Sequence, residues 1–213
     1  MTLTHLVDRL NNRLKDELPG ESSHIKMNAQ AVTGQRFIFK NPHEARKGAV
    51  LILLYEINRE VHFVLTQRPD YNGAHGGQIS FPGGKHEEED PDLFATALRE
   101  AEEEVGVSRK LVNVVGSLSE YFVGASNHLV LPVVGYTERK PLFVPDDHEV
   151  AEILPVPLRD LLDDTRRKST ILEVGENRFR LNAPYFDLHG KVVWGATAGM
   201  LSEFKDIVSE IVL

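Results

Sequence analysis

The hydrophobic positions of this chain follow two patterns, one with the spacing of a helix and one of short continuous runs. Near the N-terminus, apolar residues recur every three or four positions, which predicts an amphipathic helix over residues 3–17. These residues are Leu3, Leu6, Val7, Leu10 and Leu14. Pro19 followed by Gly20 ends this helix. The apolar stripe has two interpretations, packing on its own domain or contact between two copies in a homodimer.

Short apolar runs predict the strands of a sheet. The run from Ala49 to Tyr55 is continuous and bounded by polar residues, which is typical of a central buried strand. After a turn at residues 58–60, Val61 to Leu65 forms the second arm of a hairpin. Further strands are predicted at 36–39, 111–115, 120–123, 129–135 and 153–156. Pro132 is expected at a bulge or at the edge of a sheet, because proline cannot donate to the ladder.

The last third of the chain alternates strand and helix signals. A short helix is predicted to begin at Pro157, and a final helix to run from Trp194 to about Ile211. Between them, strands are predicted to flank two turns in residues 170–193. This hairpin would bring Tyr185 and Phe186 close to residues 192–193.

The stretch from Gly83 to Val107 joins a glycine turn to a predicted helix. Pro91 suits the first helical turn, where its missing N–H has no consequence, and Asp90 suits the N-cap. Gly106 suits the left-handed position just beyond the last turn. The apolar side chains of this helix fall on one face, and they are Phe94, Leu98, Ala101 and Val105.

Three acids, Glu100, Glu103 and Glu104, fall in one sector of this helix, whereas Glu102 points elsewhere. The arrangement is locally unfavourable, because like charges at i,i+4 cost about 0.2–0.5 kcal/mol and acids near the helix C-terminus cost about 0.3–1 kcal/mol each. Violations of local rules are typical of functional sites. A divalent cation is the natural remedy, since carboxylate oxygens are the ligands that Mg²⁺ and Mn²⁺ prefer. The alternative is a solvated acidic face.

Composition narrows the function classes. The chain has 213 residues, 41% of them hydrophobic, and a net charge of −8, which suits one globular domain and argues against nucleic acid as a partner. Cysteine is absent, so disulfides and thiol chemistry are not expected. The N-terminus lacks a signal-peptide pattern, and no apolar run approaches the length of a membrane span. We therefore expect a cytoplasmic protein that does not contact membranes.

Upstream of the acidic helix, the segment from Arg68 to Gly84 is rich in glycine and carries Arg68, His75 and Gln78. A glycine-rich loop lets backbone N–H groups approach phosphate oxygens closely. Arg68 can grip a phosphate through two parallel hydrogen bonds. Taken alone, this signal is weak, because glycine-rich loops are usually ordinary turns.

The run from Arg99 to Val107 resembles the second half of the Nudix box, Arg-Glu-apolar-x-Glu-Glu-x-Gly-apolar, and Gly84 resembles its opening glycine. The usual box has Gly, five residues, Glu, seven residues and then Arg-Glu. Here Asp90 stands six positions after Gly84, and eight residues separate it from Arg99. The loop is therefore one residue longer than usual and carries aspartate in place of glutamate.

Flanking segments are similar to the coenzyme A pyrophosphatase subgroup of the Nudix superfamily. They are Leu65–Arg68, His75–Gly84, an acidic loop ending in Glu149-Val150, and the pattern Trp-Gly-x-Thr-Ala at Trp194–Ala198. Members of the subgroup commonly carry a Leu-Arg pair shortly before the histidine. This chain has Asn72 and Gly73 there, which removes a phosphate contact and weakens the assignment of coenzyme A specificity.

The resemblance implies an α/β Nudix fold, a mixed β-sheet between helices. Residues 46–213 would form this domain, and residues 1–45 would form an N-terminal helix and extension packed on it. The implied ligands of one or more Mg²⁺ or Mn²⁺ ions are Glu100, Glu103, Glu104 and the carbonyl of Gly84. Glu103 or Glu149 would take the proton from the attacking water, and Arg99 would orient Glu103 or a neighbouring loop. The implied substrate contacts are Arg68, His75 and Gln78.

The activity implied by the resemblance is hydrolysis of a diphosphate linkage in a small nucleotide. The subgroup indicates coenzyme A or acyl-coenzyme A, split into 3′,5′-ADP and a 4′-phosphopantetheine product. Alternative substrates are nucleoside triphosphates, ADP-ribose and dinucleotides. An alternative from another class is a non-catalytic Nudix domain that senses a nucleotide. Such domains typically lose box glutamates, whereas this chain keeps all three.

Overall fold

A computed structural model of the chain describes residues 1–32, 44–69, 77–175 and 179–212. The strand predicted at 36–39 lies outside these residues. Five α-helices are found in the described part of the chain, and they are α1 (Leu3–Arg13), α2 (Glu21–His24), α3 (Leu93–Val105), α4 (Leu158–Leu162) and α5 (Gly195–Val212). None of the described helices is long and apolar enough to cross a membrane.

The larger of two sheets has eight strands in the described residues. They are β2 (Arg46–Ile57), β3 (Glu60–Gln67), β4 (Ile79–Ser80), β5 (Gly83–Lys85), β6 (Asn113–Ser117), β7 (Tyr121–Val123), β8 (His128–Tyr136) and β9 (Glu152–Pro157). Their order is β4-β3-β2-β8-β6, with β5 on β2, β7 on β8 and β9 on β3. Strands β2 and β8 run parallel, and the other pairs are antiparallel. The sheet is therefore mixed, as expected.

The central strand β2 is buried on both faces, which explains its continuous apolar sequence. Its side chains alternate between two core clusters. Leu51 and Leu53 face the cluster that contains the buried side of α3, whereas Ile52 and Leu54 face the cluster that contains α1 and α5. The sheet thus lies between helices, which confirms the predicted architecture.

Two details of the sheet follow from backbone chemistry. Asn58 and Arg59 both have positive φ angles, 52° and 65°, as a two-residue hairpin between β2 and β3 requires. Pro132 was expected at an edge or a bulge, but it lies inside β8, where the pairing passes from β7 to β6. Pro132 therefore falls in the gap between β7 and β6, where no ladder hydrogen bond from its nitrogen is needed. Its carbonyl accepts the N–H of Leu118 at 2.8 Å.

A second sheet of four strands was not predicted as a separate layer. It contains β1 (Gln30–Ala31), β10 (Arg167–Val174), β11 (Phe179–Leu188) and β12 (Lys191–Trp194), with β1 and β10 on either side of β11 and β12 also on β11. The predicted hairpin is present, since Phe186 pairs with Val193. Both side chains are buried in the cluster that contains α5, so this sheet completes the core.

Helix α1 is shorter than the predicted span of 3–17. It ends at Arg13, because the N–H of Lys15 bonds to the carbonyl of Asn12 at 3.1 Å and tightens the turn. The apolar stripe is buried within the chain, and Leu6 and Leu10 are fully inaccessible to solvent. This surface is therefore occupied, and homodimer formation stays a prediction.

Candidate functional site

Helix α3 carries the acidic residues and is fixed at both ends. Asp92, rather than Asp90, is the N-cap, and its carboxylate accepts the N–H of Ala95 at 2.8 Å. The prediction of Asp90 as cap and Pro91 in the first turn was therefore wrong, because Asp90 has other partners. Gly106 ends the helix in the left-handed conformation, with φ 71°. The predicted apolar face is present and packs on β2, with Ala101 and Val105 at its centre.

Asp90 is the buried anchor of the loop between β5 and α3. Its carboxylate accepts two hydrogen bonds from Arg99, at 2.9 Å from Nε and 3.0 Å from Nη2. It also accepts the hydroxyl of Thr96 at 2.9 Å and the N–H of Glu87 at 3.1 Å. The hydrogen bonds from Arg99 are the main reason that the pKa of Asp90 lies far below its usual value. Asp90 is thus held as a carboxylate.

Arg99 extends this anchor to the box glutamates. Its Nη1 lies 2.9 Å from Oε2 of Glu103 and 3.1 Å from Oε1 of Glu100. Its Nη2 also donates to the carbonyl of Lys85 at 2.9 Å, next to Gly84. The ion pair expected from sequence is present, and it joins α3 to the end of β5. Glu103 remains more than half exposed beyond it.

Glu104 is buried beneath the glycine turn. Its carboxylate accepts the N–H of Gly83 at 3.1 Å, and Nη2 of Arg68 lies 4.0 Å away. Burial raises the pKa of Glu104 from its usual 4.5 to about 7, which the Gly83 N–H and Arg68 oppose and the charges of Glu100 and Glu149 reinforce. The carboxylate therefore has less positive charge around it than its ionised form needs.

Glu100 lies directly against Gly84. A Cβ added to Gly84 would fall 2.5 Å from the carboxyl carbon and both oxygens of Glu100, a distance that real Cβ atoms do not reach. Burial raises the pKa of Glu100, and Arg99 partly opposes this rise. Glycine at position 84 therefore lets the carboxylate of Glu100 lie directly against strand β5.

Glu149 lies on a separate loop and approaches Glu100 and Glu104, which we call the acidic pair. That loop lies on the C-terminal end of α3, where the N–H of Val144 donates to the carbonyl of Val105 at 3.0 Å. The negative charge of Glu149 raises the pKa of both Glu100 and Glu104, which places its carboxylate within electrostatic reach of them. Glu102 points away from these residues, as predicted.

These carboxylates fit a divalent cation in chemistry but are not drawn together around one point. Among the described residues, no three His, Cys, Asp or Glu side chains form a ready metal cluster. Glu103 is turned toward Arg99. Glu104 is buried and Glu100 is partly buried, and both have raised pKa values. A hard cation with oxygen ligands would lower both pKa values and replace the missing positive charge.

The substrate residues predicted from sequence are only partly visible. Arg68 is about one-third exposed at the edge of the acidic pair, and its N–H donates to the carbonyl of Gln78 at 3.0 Å. Gln78 is half-buried. His75 and the Asn72-Gly73 departure lie outside the described residues.

Sequence reasoning missed one supporting residue beside this site. Nζ of Lys191, on β12, donates to the side chains of Gln67 and Glu152, at 2.7 Å each. These two residues are paired at the ends of β3 and β9, directly before Arg68 and shortly after Glu149. This bridge could not be predicted, because Lys191 is a single lysine in a hairpin that lies far from Gln67 in the sequence. A second link, from the hydroxyl of Thr197 to the carbonyl of Ile79 at 3.0 Å, falls within the Trp194–Ala198 pattern.

Comparisons with known proteins agree with this geometry. The NUDIX domain family model matches residues 45–173. "Nudix hydrolase 15, mitochondrial" of Arabidopsis thaliana is 37% identical over 174 residues, which are 78% of this chain and 59% of that protein. This chain therefore spans less than two thirds of that relative. "Uncharacterized Nudix hydrolase NudL" of Yersinia pestis (strain Pestoides F) is 34% identical over 164 residues, which are 77% of this chain and 80% of that protein.

Solved structures show the same fold at low sequence identity. A Nudix hydrolase from M. smegmatis, RenU, superposes with a TM-score of 0.56 at 17% identity, over 87% of this chain and 96% of that chain. A MutT/nudix family protein from Enterococcus faecalis gives a TM-score of 0.51 at 13% identity, over 82% and 66%. The box residues, the fold and the relatives agree, and the chain belongs to the Nudix family.

Proposed function

We propose that this protein hydrolyses the diphosphate linkage of coenzyme A or acyl-coenzyme A, with Mg²⁺ or Mn²⁺, to give 3′,5′-ADP and a 4′-phosphopantetheine product. One observation carries the hydrolytic part of this proposal. The carboxylates of Glu104, which is buried, and Glu100, which is partly buried, lie against the glycine turn at residues 83–84, with Arg68 beside Glu104. The substrate rests on the resemblance of residues 65–84 and 194–198 to the coenzyme A pyrophosphatase subgroup.

The residues proposed to hold the metal are Glu100, Glu103, Glu104 and the carbonyl of Gly84. When bound, the cation neutralises charge on the diphosphate and lowers the pKa of a bound water. Glu103 reaches the other two carboxylates by leaving its ion pair with Arg99, which is solvent-accessible at the Glu103 end. Arg99 keeps its hold on Asp90 and on the Lys85 carbonyl meanwhile.

Two carboxylates are candidates for the base that accepts a proton from the attacking water, Glu103 and Glu149. Glu103 is held by the guanidinium of Arg99 at 2.9 Å, so it must leave this ion pair before it can reach a water molecule. Within the described part of the chain, no ion pair engages Glu149, whose loop is attached to the C-terminal end of α3. We therefore favour Glu149 as the base and Glu103 as a ligand. Arg68 is placed to bind a phosphate oxygen, since its guanidinium borders the acidic pair.

Other substrates remain alternatives within the same chemistry, namely nucleoside triphosphates, ADP-ribose and dinucleotides. The Asn72-Gly73 departure from the subgroup motif favours testing them alongside coenzyme A. A nucleotide sensor without catalysis is the alternative of a different class. It predicts binding without product, whereas a hydrolase gives both.

Conservative substitutions within α3 test the hydrolytic proposal. Glu100→Gln and Glu104→Gln each remove a proposed ligand, and turnover is expected to fall by at least about a hundredfold. Glu102→Gln is the matched control, because Glu102 lies on the same helix but bonds Arg109 instead. Equal turnover for all three variants, with circular dichroism unchanged, would remove the acidic pair from the mechanism.

A further inference from the structure

The loop that carries Glu149 is attached to the end of the acidic helix. The N–H groups of Val144 and Asp146 donate to the carbonyls of Val105 and Glu104, at 3.0 Å each. These carbonyls belong to the last turn of α3, where carbonyl groups have no hydrogen-bond donor within the helix itself. The loop therefore takes its position from the same helix that presents Glu100 and Glu104.

Gly106 allows this close approach. A Cβ at Gly106 would lie 2.8 Å from Cβ of Val144 and 2.9 Å from its carbonyl oxygen. The left-handed φ of 71° at Gly106 further favours glycine. The loop and the helix end are thus fitted to each other at the backbone.

Asp146 accepts hydrogen bonds from the backbone of the three residues 148–150. Its side-chain Oδ1 accepts the N–H of His148 at 2.8 Å. Its carbonyl accepts the N–H of Glu149 at 3.1 Å and that of Val150 at 2.8 Å. The only one of these bonds that depends on the identity of the side chain is the bond to His148, a turn that aspartate and asparagine both form.

The far end of the loop is attached beside Arg68. The N–H of Ala151 donates to the carbonyl of Gln67 at 2.8 Å, and Lys191 bridges the side chains of Gln67 and Glu152. The loop that carries Glu149 is therefore hydrogen-bonded on one side to the end of α3 and on the other to the end of β3. Asp146 sets the path of the chain between them.

We propose that Asp146 is a positioning residue, which holds the backbone of Glu149 so that its carboxylate faces Glu100 and Glu104. The inference rests on the proposed function, because it assumes that Glu149 acts in hydrolysis. Asp146 itself is exposed and touches no reacting atom. Its contribution is geometric, and small displacements of a catalytic group reduce rates strongly.

Three variants test this role in the full chain. Asp146→Ala removes the bond to His148, Asp146→Asn keeps an oxygen acceptor at the same place, and Asp147→Ala is the matched control on an exposed neighbour. Two quantities are measured, the steady-state kinetics of coenzyme A hydrolysis with Mg²⁺ and the NMR amide exchange of residues 148–150. Asp146→Ala is expected to lower kcat by about tenfold or more while KM changes by less than about twofold. Amide exchange in this variant should be about tenfold faster.

Asp146→Asn should restore both quantities to near the wild-type values, and Asp147→Ala should change neither. Faster exchange without a change in kcat would overturn the positioning role, and so would unchanged exchange in Asp146→Ala. If Glu149→Gln turns over normally, Glu149 is not the group being positioned and the inference fails. A wild-type chain that hydrolyses no diphosphate substrate would instead refute the proposed function, and exchange data would still show whether Asp146 holds the loop.

Discussion

Arg99 donates two hydrogen bonds to the carboxylate of Asp90, from Nε at 2.9 Å and from Nη2 at 3.0 Å. This pairing gives a physical meaning to the unusual spacing of the box. Aspartate is one methylene shorter than glutamate, and the loop before it is one residue longer. In this chain, the aspartate at the end of the longer loop reaches the guanidinium directly.

The Asp90–Arg99 pair is expected to contribute strongly to stability. Asp90→Ala removes the main partner of Arg99, which keeps its contacts with Glu100 and Glu103. Loss of one partner of a buried hydrogen bond costs about 1–3 kcal/mol. Urea denaturation at pH 7 measures this loss. Glu89→Ala, an exposed substitution in the same loop, should stay within about 0.5 kcal/mol of the wild type. A similar midpoint for both variants would show that the pair is not an anchor.

The raised pKa of Glu104 predicts that rising pH lowers the stability of the metal-free protein but increases the stabilisation that added metal provides. In metal-free protein the unfolded chain ionises Glu104 near 4.5, whereas the folded chain retains the proton up to about 7. The contribution of Glu104 to the free energy of unfolding is therefore fully present below pH 4.5, and it is lost as the pH rises toward 7. Mg²⁺ or Mn²⁺ needs the ionised form, so added metal should raise the melting temperature most at pH 7 and above.

Glu104→Gln should flatten this pH dependence in metal-free protein and reduce the stabilisation by metal. Thermal melts between pH 4.5 and 8, with and without Mg²⁺, provide the comparison. Glu102→Gln again serves as the control on the same helix. A metal-free slope that is identical in Glu104→Gln and in the wild type would contradict the assignment of Glu104.

Gly84→Ala tests the close contact between β5 and α3. The new Cβ would lie 2.5 Å from the carboxylate of Glu100, and that flexible side chain must move away. Turnover is therefore expected to fall by about a hundredfold, while the fold is kept. Metal-dependent kinetics and circular dichroism measure the two effects separately. Normal turnover would show that Glu100 need not lie against residue 84.

Helix α1 is predicted to be part of the core rather than an appendage. Leu10 is fully buried, so Leu10→Ala should destabilise the protein by about 2–5 kcal/mol. Leu142→Ala makes the same chemical change at a site that is 83% exposed, and it should alter stability by less than about 0.5 kcal/mol. If both variants unfold at the same urea concentration, α1 does not stabilise the domain.

The sequence predicted best where one periodicity dominates. The run from Ala49 to Tyr55, the turn after it and the acidic helix followed directly from apolar spacing and turn chemistry. Contacts between segments far apart in the chain could not be predicted in this way. The bridge from Lys191 to Gln67 spans 124 positions, and no local pattern marks it.

The acidic site shows the same division. The sector shared by Glu100 and Glu104 came from helical geometry, and the ion pair of Arg99 was expected. The true N-cap, Asp92, was missed because both Asp90 and Asp92 are good caps, and only the tertiary bonds of Asp90 to Arg99 and Thr96 decide between them. The role of the Asp146 turn depends on the end of α3, which is distant in sequence from that loop.

Product analysis by mass spectrometry tests the central claim most directly. Purified protein is incubated with coenzyme A, acetyl-coenzyme A, ADP-ribose, dinucleotides and nucleoside triphosphates, each with and without Mg²⁺ or Mn²⁺. The account predicts that 3′,5′-ADP and a 4′-phosphopantetheine product appear from coenzyme A only when metal is present. Cleavage of a different substrate in the panel, with coenzyme A left intact, would contradict the proposed substrate, and the absence of any metal-dependent product would contradict the proposed hydrolytic function.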